Sequence, residues 1–298
     1  MNLASMVRAA FGPTAWFVLL WSSGALFAKA GLASASPFAL LVLRFLLAFV
    51  ALLLLARGRW RPPRELWLRT VLTGLLMIGG YSAFYFLALE GGVAPGVLAT
   101  VLGVQPLLTL LWVERRLPWR RAAGLLLALG GLVLVVFDGV SVTMAGMAFA
   151  LACLACVTAG SILQKQLPLP PLQALPLQYA ASLLLCAVLL PSQPWHVRWD
   201  LQLVACVLWL GLVISVAATL LLYRLLQSGD LVNVTSLFYL VPVGTALLDA
   251  AVFGHVPAAP ALAGMAAIVA GLLLVFRPAL SARSARRGDP AAPASAGK

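Results

Sequence analysis

The sequence has little charge, and least of all acid. Only 9% of its 298 residues are charged, against roughly a quarter in an ordinary soluble domain. That scarcity excludes a soluble globular protein. Eight residues are Asp or Glu, and Glu65, Glu90, Glu114, Asp138, Asp200 and Asp230 fall in loops or at the ends of apolar runs. Asp249 stands four residues from the end of its run, and Asp289 lies in the C-terminal tail. A membrane proton relay needs a carboxylate or histidine at depth, yet both histidines, His196 and His255, sit at loops. Proton antiport through a deep acid is therefore not expected. Facilitated diffusion is favoured, with coupling through Asp249 or His255 as the alternative. The chain has no H-E-x-x-H, G-x-S-x-G or P-loop motif, so it is read as a non-enzyme that needs no cofactor or metal and contains no ATP-driven pump. Four cysteines, Cys153, Cys156, Cys186 and Cys206, all lie inside apolar runs. The spacing Cys153-x-x-Cys156 occurs in redox and metal sites, but no histidine or second pair accompanies it, and the four read as small core residues.

Apolar residues make up 63% of the chain, and the mean hydropathy is +1.05. A bilayer core about 30 Å thick takes about 20 apolar residues of helix. Ten such windows follow one another, at 13–31, 37–56, 67–89, 95–113, 120–137, 143–163, 173–190, 200–223, 231–253 and 258–276. The expected fold is an all-α polytopic membrane protein with ten transmembrane helices. No A-x-A-like site follows the first run, so a cleaved signal peptide is not expected. The tail from 277 to 298, rich in Ala, Arg, Ser and Pro, reads as disordered.

The net charge of +12 does not signal nucleic acid, because the basic residues sit between apolar runs and form no basic face. They report topology instead. With a cytoplasmic N-terminus, seventeen basic residues fall on the cytoplasmic side and only Arg198 on the other; Lys29 and Arg44 lie within spans. Both termini are then cytoplasmic. Arginine outnumbers lysine 17 to 3, which fits a GC-rich bacterial genome.

The chain also repeats itself with a period of about 136 residues. GALFAK at 24–29 matches GSILQK at 160–165, and LRFLLA at 43–48 matches LQYAAS at 177–182. Pro106 is the twelfth residue of its window and Pro242 the twelfth of its own. Gly124 and Gly131 stand seven apart, as do Gly264 and Gly271. Each half holds five spans, an odd number, so the second half is inverted relative to the first. The halves are 1–138 and 139–277, followed by the tail at 278–298. Inverted repeats are a common plan of secondary transporters, with the substrate site near the midplane.

These residues resemble the EamA branch of the drug/metabolite transporter superfamily. Trp21-Ser-Ser-Gly24 with Lys29 is similar to the family's W-G…K pattern, and Pro37 followed by Leu43-Arg44-Phe45-Leu46-Leu47-Ala48 to its P…xRFxxA signature. Gln105-Pro106-Leu107 with Glu114-Arg115 and Gly124 is similar to its P…ER…G signature, and His255 stands near the place where Glu is usual in the second half. The resemblance implies metabolite export across the bacterial inner membrane. The chain length and the third window's Tyr81-Ser-Ala-Phe84-Tyr85-Phe86 resemble amino-acid exporters of the YddG type.

Within the spans, Arg44 lies seven residues past Pro37, about 10 Å below the outer surface. It either binds a substrate carboxylate or braces neighbouring helices; its counterpart in the second half is Gln178. Lys29 and Lys165 are either snorkelling side chains or rim charges that attract anionic groups at the two mouths. Pro106 and Pro242 read as mid-helix kinks, either static or acting as a pair of hinges. Tyr81, Phe84 and Tyr85 share one helix face. With Trp21, Tyr179 and Tyr239 they are either packing residues or the rings of a cavity. Gln105, Thr100, Thr158, Ser161, Gln178 and Asn233 are the candidates for orienting hydrogen bonds. The candidate cavity set is therefore Trp21, Arg44, Tyr81, Tyr85, Gln105, Gln178, Tyr179 and Tyr239. The paired glycines read as packing faces, within the monomer or in a homodimer. The expected function is export of amino acids or related small metabolites by alternating access, with lipid as the other partner. The rivals are a carrier of nucleotide sugars, sugar phosphates or lipid-linked headgroups, and a non-transporting receptor or scaffold.

Overall fold

A computed structural model describes residues 12–58, 60–93, 95–114, 118–136, 143–193, 195–253 and 258–287. Asp138, His255 and Asp289 lie outside them. Among the described residues the chain is helical, with one isolated bridge between Ala35 and Val197. The helices are α1 Pro13–Leu32, α2 Pro37–Ala56, α3 Arg64–Glu90, α4 Pro95–Leu102, α5 Gln105–Glu114 and α6 Trp119–Val136. There follow α7 Met144–Gln166, α8 Pro171–Leu189, α9 Leu201–Ser228, α10 Leu231–Ser236, α11 Leu240–Phe253 and α12 Ala259–Arg287. Among the described residues, eight segments are long and apolar enough to cross a membrane, and a shorter apolar stretch covers Val97–Val113.

Local chemistry sets the helix ends. Pro13, Pro37 and Pro171 start α1, α2 and α8, where an N–H would have no intrahelical partner in any case. Thr143, Asp200 and Asp230 cap α7, α9 and α10 by accepting from the amides of Gly146, Leu203 and Asn233. Helix α2 stops where Arg57 turns left-handed at φ 47°, followed by Gly58 at φ 80°. At its other end α12 continues to Arg287, past the expected end of the last span at 276. Alanine and arginine are good helix formers and extend a helix that the span has already nucleated.

The expected fourth and ninth spans are each broken in two. A turn at Gly103–Val104 separates α4 from α5, and a 3-10 turn at Leu237–Tyr239 separates α10 from α11. Pro106 and Pro242 are thus not mid-helix kinks. Each lies in the first turn of the segment after a break, where a missing N–H costs no helix bond. A second departure is shared by α3 and α9. Leu75–Gly80 and Trp209–Ala218 are wound as π-helix, a wider turn often found at functional sites.

Helices of one half pack mostly against helices of the other. Helix α1 packs on α9 as α7 packs on α3, while α2 faces α8. The tightest crossing joins α6 to α12. A Cβ at Gly131 would stand 2.5 Å from the Gly264 carbonyl oxygen, and one at Gly124 would stand 2.6 Å from that of Gly271. The repeated glycines therefore meet each other inside one chain, in antiparallel register about a pseudo-two-fold axis. Leucines such as Leu54, Leu68, Leu184 and Leu273 point outward and are well exposed, as a lipid solvent requires.

The pole opposite the basic loops is clasped by short polar contacts. Ser36 N–H donates to His196 O at 2.8 Å and Arg198 N–H to Ser34 O at 2.7 Å. Asp200 accepts from the Leu203 amide at 2.7 Å, from Ser34 Oγ at 2.9 Å and from Arg198 Nε at 2.9 Å. The Leu203 amide, aided by Ser34 and Arg198, holds this carboxyl below the usual carboxylate range.

Two neighbouring glycines test the α6–α12 crossing. Gly131→Ala is expected to cost about 1–3 kcal/mol through overpacking. Gly130, whose Cβ would meet nothing within 4 Å, is expected to gain up to about 1 kcal/mol as alanine. Unfolding of both variants in detergent micelles checks the contrast.

Candidate functional site

A cavity of about 230 Å³ lies between the halves. Its lining reaches Ala28, Phe86 and Ala99 near the pole opposite the basic loops, and ends toward the basic pole at Tyr223 and Tyr239. Helix α3 supplies Tyr81, Tyr85 and Phe86, and the break between α10 and α11 supplies Phe238 and Tyr239. Trp21 joins from α1, its ring 5.2 Å from that of Phe17 and 5.4 Å from that of Phe238.

Among the described residues, the one charged side chain in the lining is Arg44. Its Nε donates to Ser215 Oγ at 3.1 Å, and its guanidinium lies 5.3 Å from the Phe45 ring centroid. Ser215 belongs to the π segment of α9, whose wide turns also change the local bonding. The Ser215 carbonyl accepts from Tyr179 Oη at 2.7 Å, and Thr219 Oγ1 donates to the Ile214 carbonyl five residues back at 3.0 Å. The extra residue per turn thus places a hydroxyl beside Arg44 and a carbonyl over Tyr179.

Below the cavity, toward the basic pole, the bundle is closed by polar layers. Gln105 Nε2 donates to Ser161 Oγ at 3.1 Å. Tyr223 Oη donates to Gln178 Oε1 at 2.8 Å, and Gln178 Nε2 to Gln164 Oε1 at 2.9 Å. Further down, Arg121 donates to Asp230 at 2.6 Å and to Asn233 Oδ1 at 2.8 Å, tying α6 to the start of α10. At the centre, Tyr239 Oη donates to the Gly103 carbonyl at 2.5 Å. That carbonyl sits at the break between α4 and α5, and the two residues are 136 apart, the period of the repeat.

Of the residues singled out from sequence, Trp21, Arg44, Tyr81, Tyr85, Gln105, Tyr179 and Tyr239 line the cavity, as do Pro106 and Pro242. Gln178 stands behind the wall, fully buried in the amide layer. Lys165 is half-buried and held by backbone. Its Nζ donates to the carbonyls of Gly229 at 2.6 Å and Gln227 at 3.1 Å, closing the C-terminal end of α9. Lys29 falls on α1, and its side chain lies outside the described part of the structure. Tyr223 and Ser215 were not foreseen. The window at 200–223 ends on Tyr223, whereas α9 runs to Ser228 and keeps that ring inside the membrane body. Ser215 had no signal except the flanking Gly211, since nothing in a sequence pattern announces a π turn.

Comparison with known proteins agrees with the repeat. The profile of the EamA-like transporter family matches residues 15–137 and again 144–277. The chain is 27% identical over 248 residues to an "Uncharacterized transporter" of Archaeoglobus fulgidus, covering 77% of this chain and 84% of that one. It is 28% identical over 236 residues to a "Probable amino-acid metabolite efflux pump" of Escherichia coli, covering 76% of this chain and 71% of that one. A crystal structure 24% identical in sequence superposes with a TM-score of 0.75 over 89% of this chain and 98% of the other, a likeness of fold.

Lys165→Met separates helix capping from anion attraction. Loss of a charged donor to two carbonyls is expected to cost about 1.5–3 kcal/mol and to leave the half-saturating concentration of an anionic solute unchanged. An attracting rim charge would give the reverse. Thermal unfolding and uptake kinetics on the same preparation measure both.

Proposed function

Because the chain belongs to the EamA-like transporter family, we propose that it exports amino acids or related small metabolites by alternating access across the bacterial inner membrane. The observation that carries the cargo class is the cavity itself: among the described residues its lining holds one guanidinium, several aromatic rings and no carboxylate. A carboxylate on the cargo would pair with Arg44, and an apolar side chain would lie against Trp21, Tyr85 and Phe238. A cavity of about 230 Å³ is smaller than the usual drug-sized pocket of roughly 300–1,000 Å³, which suits a small solute. The efflux-pump name of the Escherichia coli relative points the same way. A nucleotide sugar would call for several basic groups, and the described lining offers one.

In this reading ten spans form two inverted bundles, 1–138 and 139–277, with both termini and the basic loops in the cytoplasm. The cavity then faces outward, and the amide and tyrosine layers below it form the closed inner gate. Turnover exchanges which pole is closed, with movement at the breaks that precede Pro106 and Pro242. Cargo binds between the halves, where it touches elements of both.

Proteoliposomes loaded with labelled amino acids test the proposal by counterflow, which should saturate with cargo concentration. Arg44→Gln should insert normally and lower the rate for carboxylate solutes about 10- to 100-fold, the value of a hydrogen bond to a charged partner. Absence of saturable counterflow with every amino acid and metabolite tried would leave the receptor or scaffold reading in its place.

A further inference from the structure

Arg44 is only partly satisfied by protein. A guanidinium carries five N–H donors, and among the described residues only Ser215 Oγ accepts from it. No described carboxylate pairs with it. The hydroxyls of Tyr81 and Tyr85 make no hydrogen bond among the described residues, and both residues line the same cavity as Arg44. The region is thus a group of hydrogen-bond donors around a fixed positive charge, with no acidic side chain among the described residues to balance it. Hydroxyls can turn to suit a neighbour, but the guanidinium can only donate.

While the cavity is open, water can screen this charge. Closing the cavity removes that water, and an unpaired charge taken into a low-dielectric interior is costly. The same closure over a guanidinium that holds an anion removes most of the penalty, because charge-assisted bonds replace hydration. We propose that Arg44 and Tyr81, with Arg44 oriented by Ser215, form a binding site for a small monovalent anion, either chloride or a carboxylate. The site is filled whenever the carrier changes face, so the protein exchanges one anion for another and does not return empty. The exchange rests on the carrier reading above; the anion site does not.

The full-length protein in detergent tests the site without transport. Chloride or acetate is titrated against a bulky sulfonate buffer anion at constant ionic strength, and the unfolding midpoint and tryptophan fluorescence are recorded, Trp21 being in the cavity wall. Both signals should saturate in the wild type. Tyr81→Phe and Ser215→Ala should raise the half-saturating concentration about 3- to 10-fold, and Arg44→Gln should abolish the response. A response to chloride identifies an inorganic occupant, and a response to acetate alone identifies the cargo's own carboxylate; either supports the site. A wild type with no saturable response to either anion overturns it, as do variants that respond like the wild type. In proteoliposomes, cargo efflux should rise at least about 5-fold when the binding anion is supplied on the opposite side. If binding holds and efflux ignores the opposite anion, the exchange step is wrong and the site stands. If binding holds and no amino acid moves at all, the cargo assignment fails and the site again stands.

Discussion

A hydrogen bond from Tyr239 Oη to the Gly103 carbonyl joins two breaks that a bilayer would otherwise forbid. Inside a membrane every backbone polar group needs a protein partner or a water-filled cavity. The chain interrupts its helix at Gly103–Val104 and again at Leu237–Tyr239, which frees carbonyls at mid-depth. Placing the two breaks against each other lets a side chain from one satisfy the backbone of the other. The cavity follows from this, because short segments diverging from a shared centre leave a space that continuous helices would fill.

The halves are interleaved, and the core belongs to neither alone. Packing of α1 on α9, α7 on α3 and α2 on α8 puts most of the buried apolar surface between repeats. The α6–α12 crossing is close enough for glycine backbones to touch, a tight and steep contact in which small shifts are costly. That pair is suited to stay fixed, whereas the broken helices, with fewer continuous backbone bonds, are suited to adjust. Rigid and adjustable parts thus arise from the same repeat, through glycine in one helix and a break with proline in the other.

Much of this plan could be read from the chain. Apolar windows located the helices, because a membrane span leaves a long, unbroken signal. The paired glycines and prolines marked the special helices, because each acts through its own backbone geometry. Ring residues on α3 are legible through their helical spacing. What stayed hidden depends on contacts distant in sequence. Gln178 matches Arg44 in the repeat, yet Tyr223 and Gln164 hold it behind the wall. Lys165 looked like a surface charge and instead closes the end of α9. The π turns that aim Ser215 at Arg44 come from packing across the bundle, which apolar periodicity does not register.

The tyrosine at the centre has no twin. Its partner position in the other repeat is Gly103, which has no side chain to offer. Were the proposed alternation to trade the shapes of the halves, the backbone of 239 would meet a residue with no hydroxyl. Arg121 and Asp230 are likewise matched in sequence by Ala261 and Ala94. The two halves match one family profile yet differ at these positions. The two halves of the described structure are therefore not interchangeable, because these closing contacts have no counterpart at the mirrored positions.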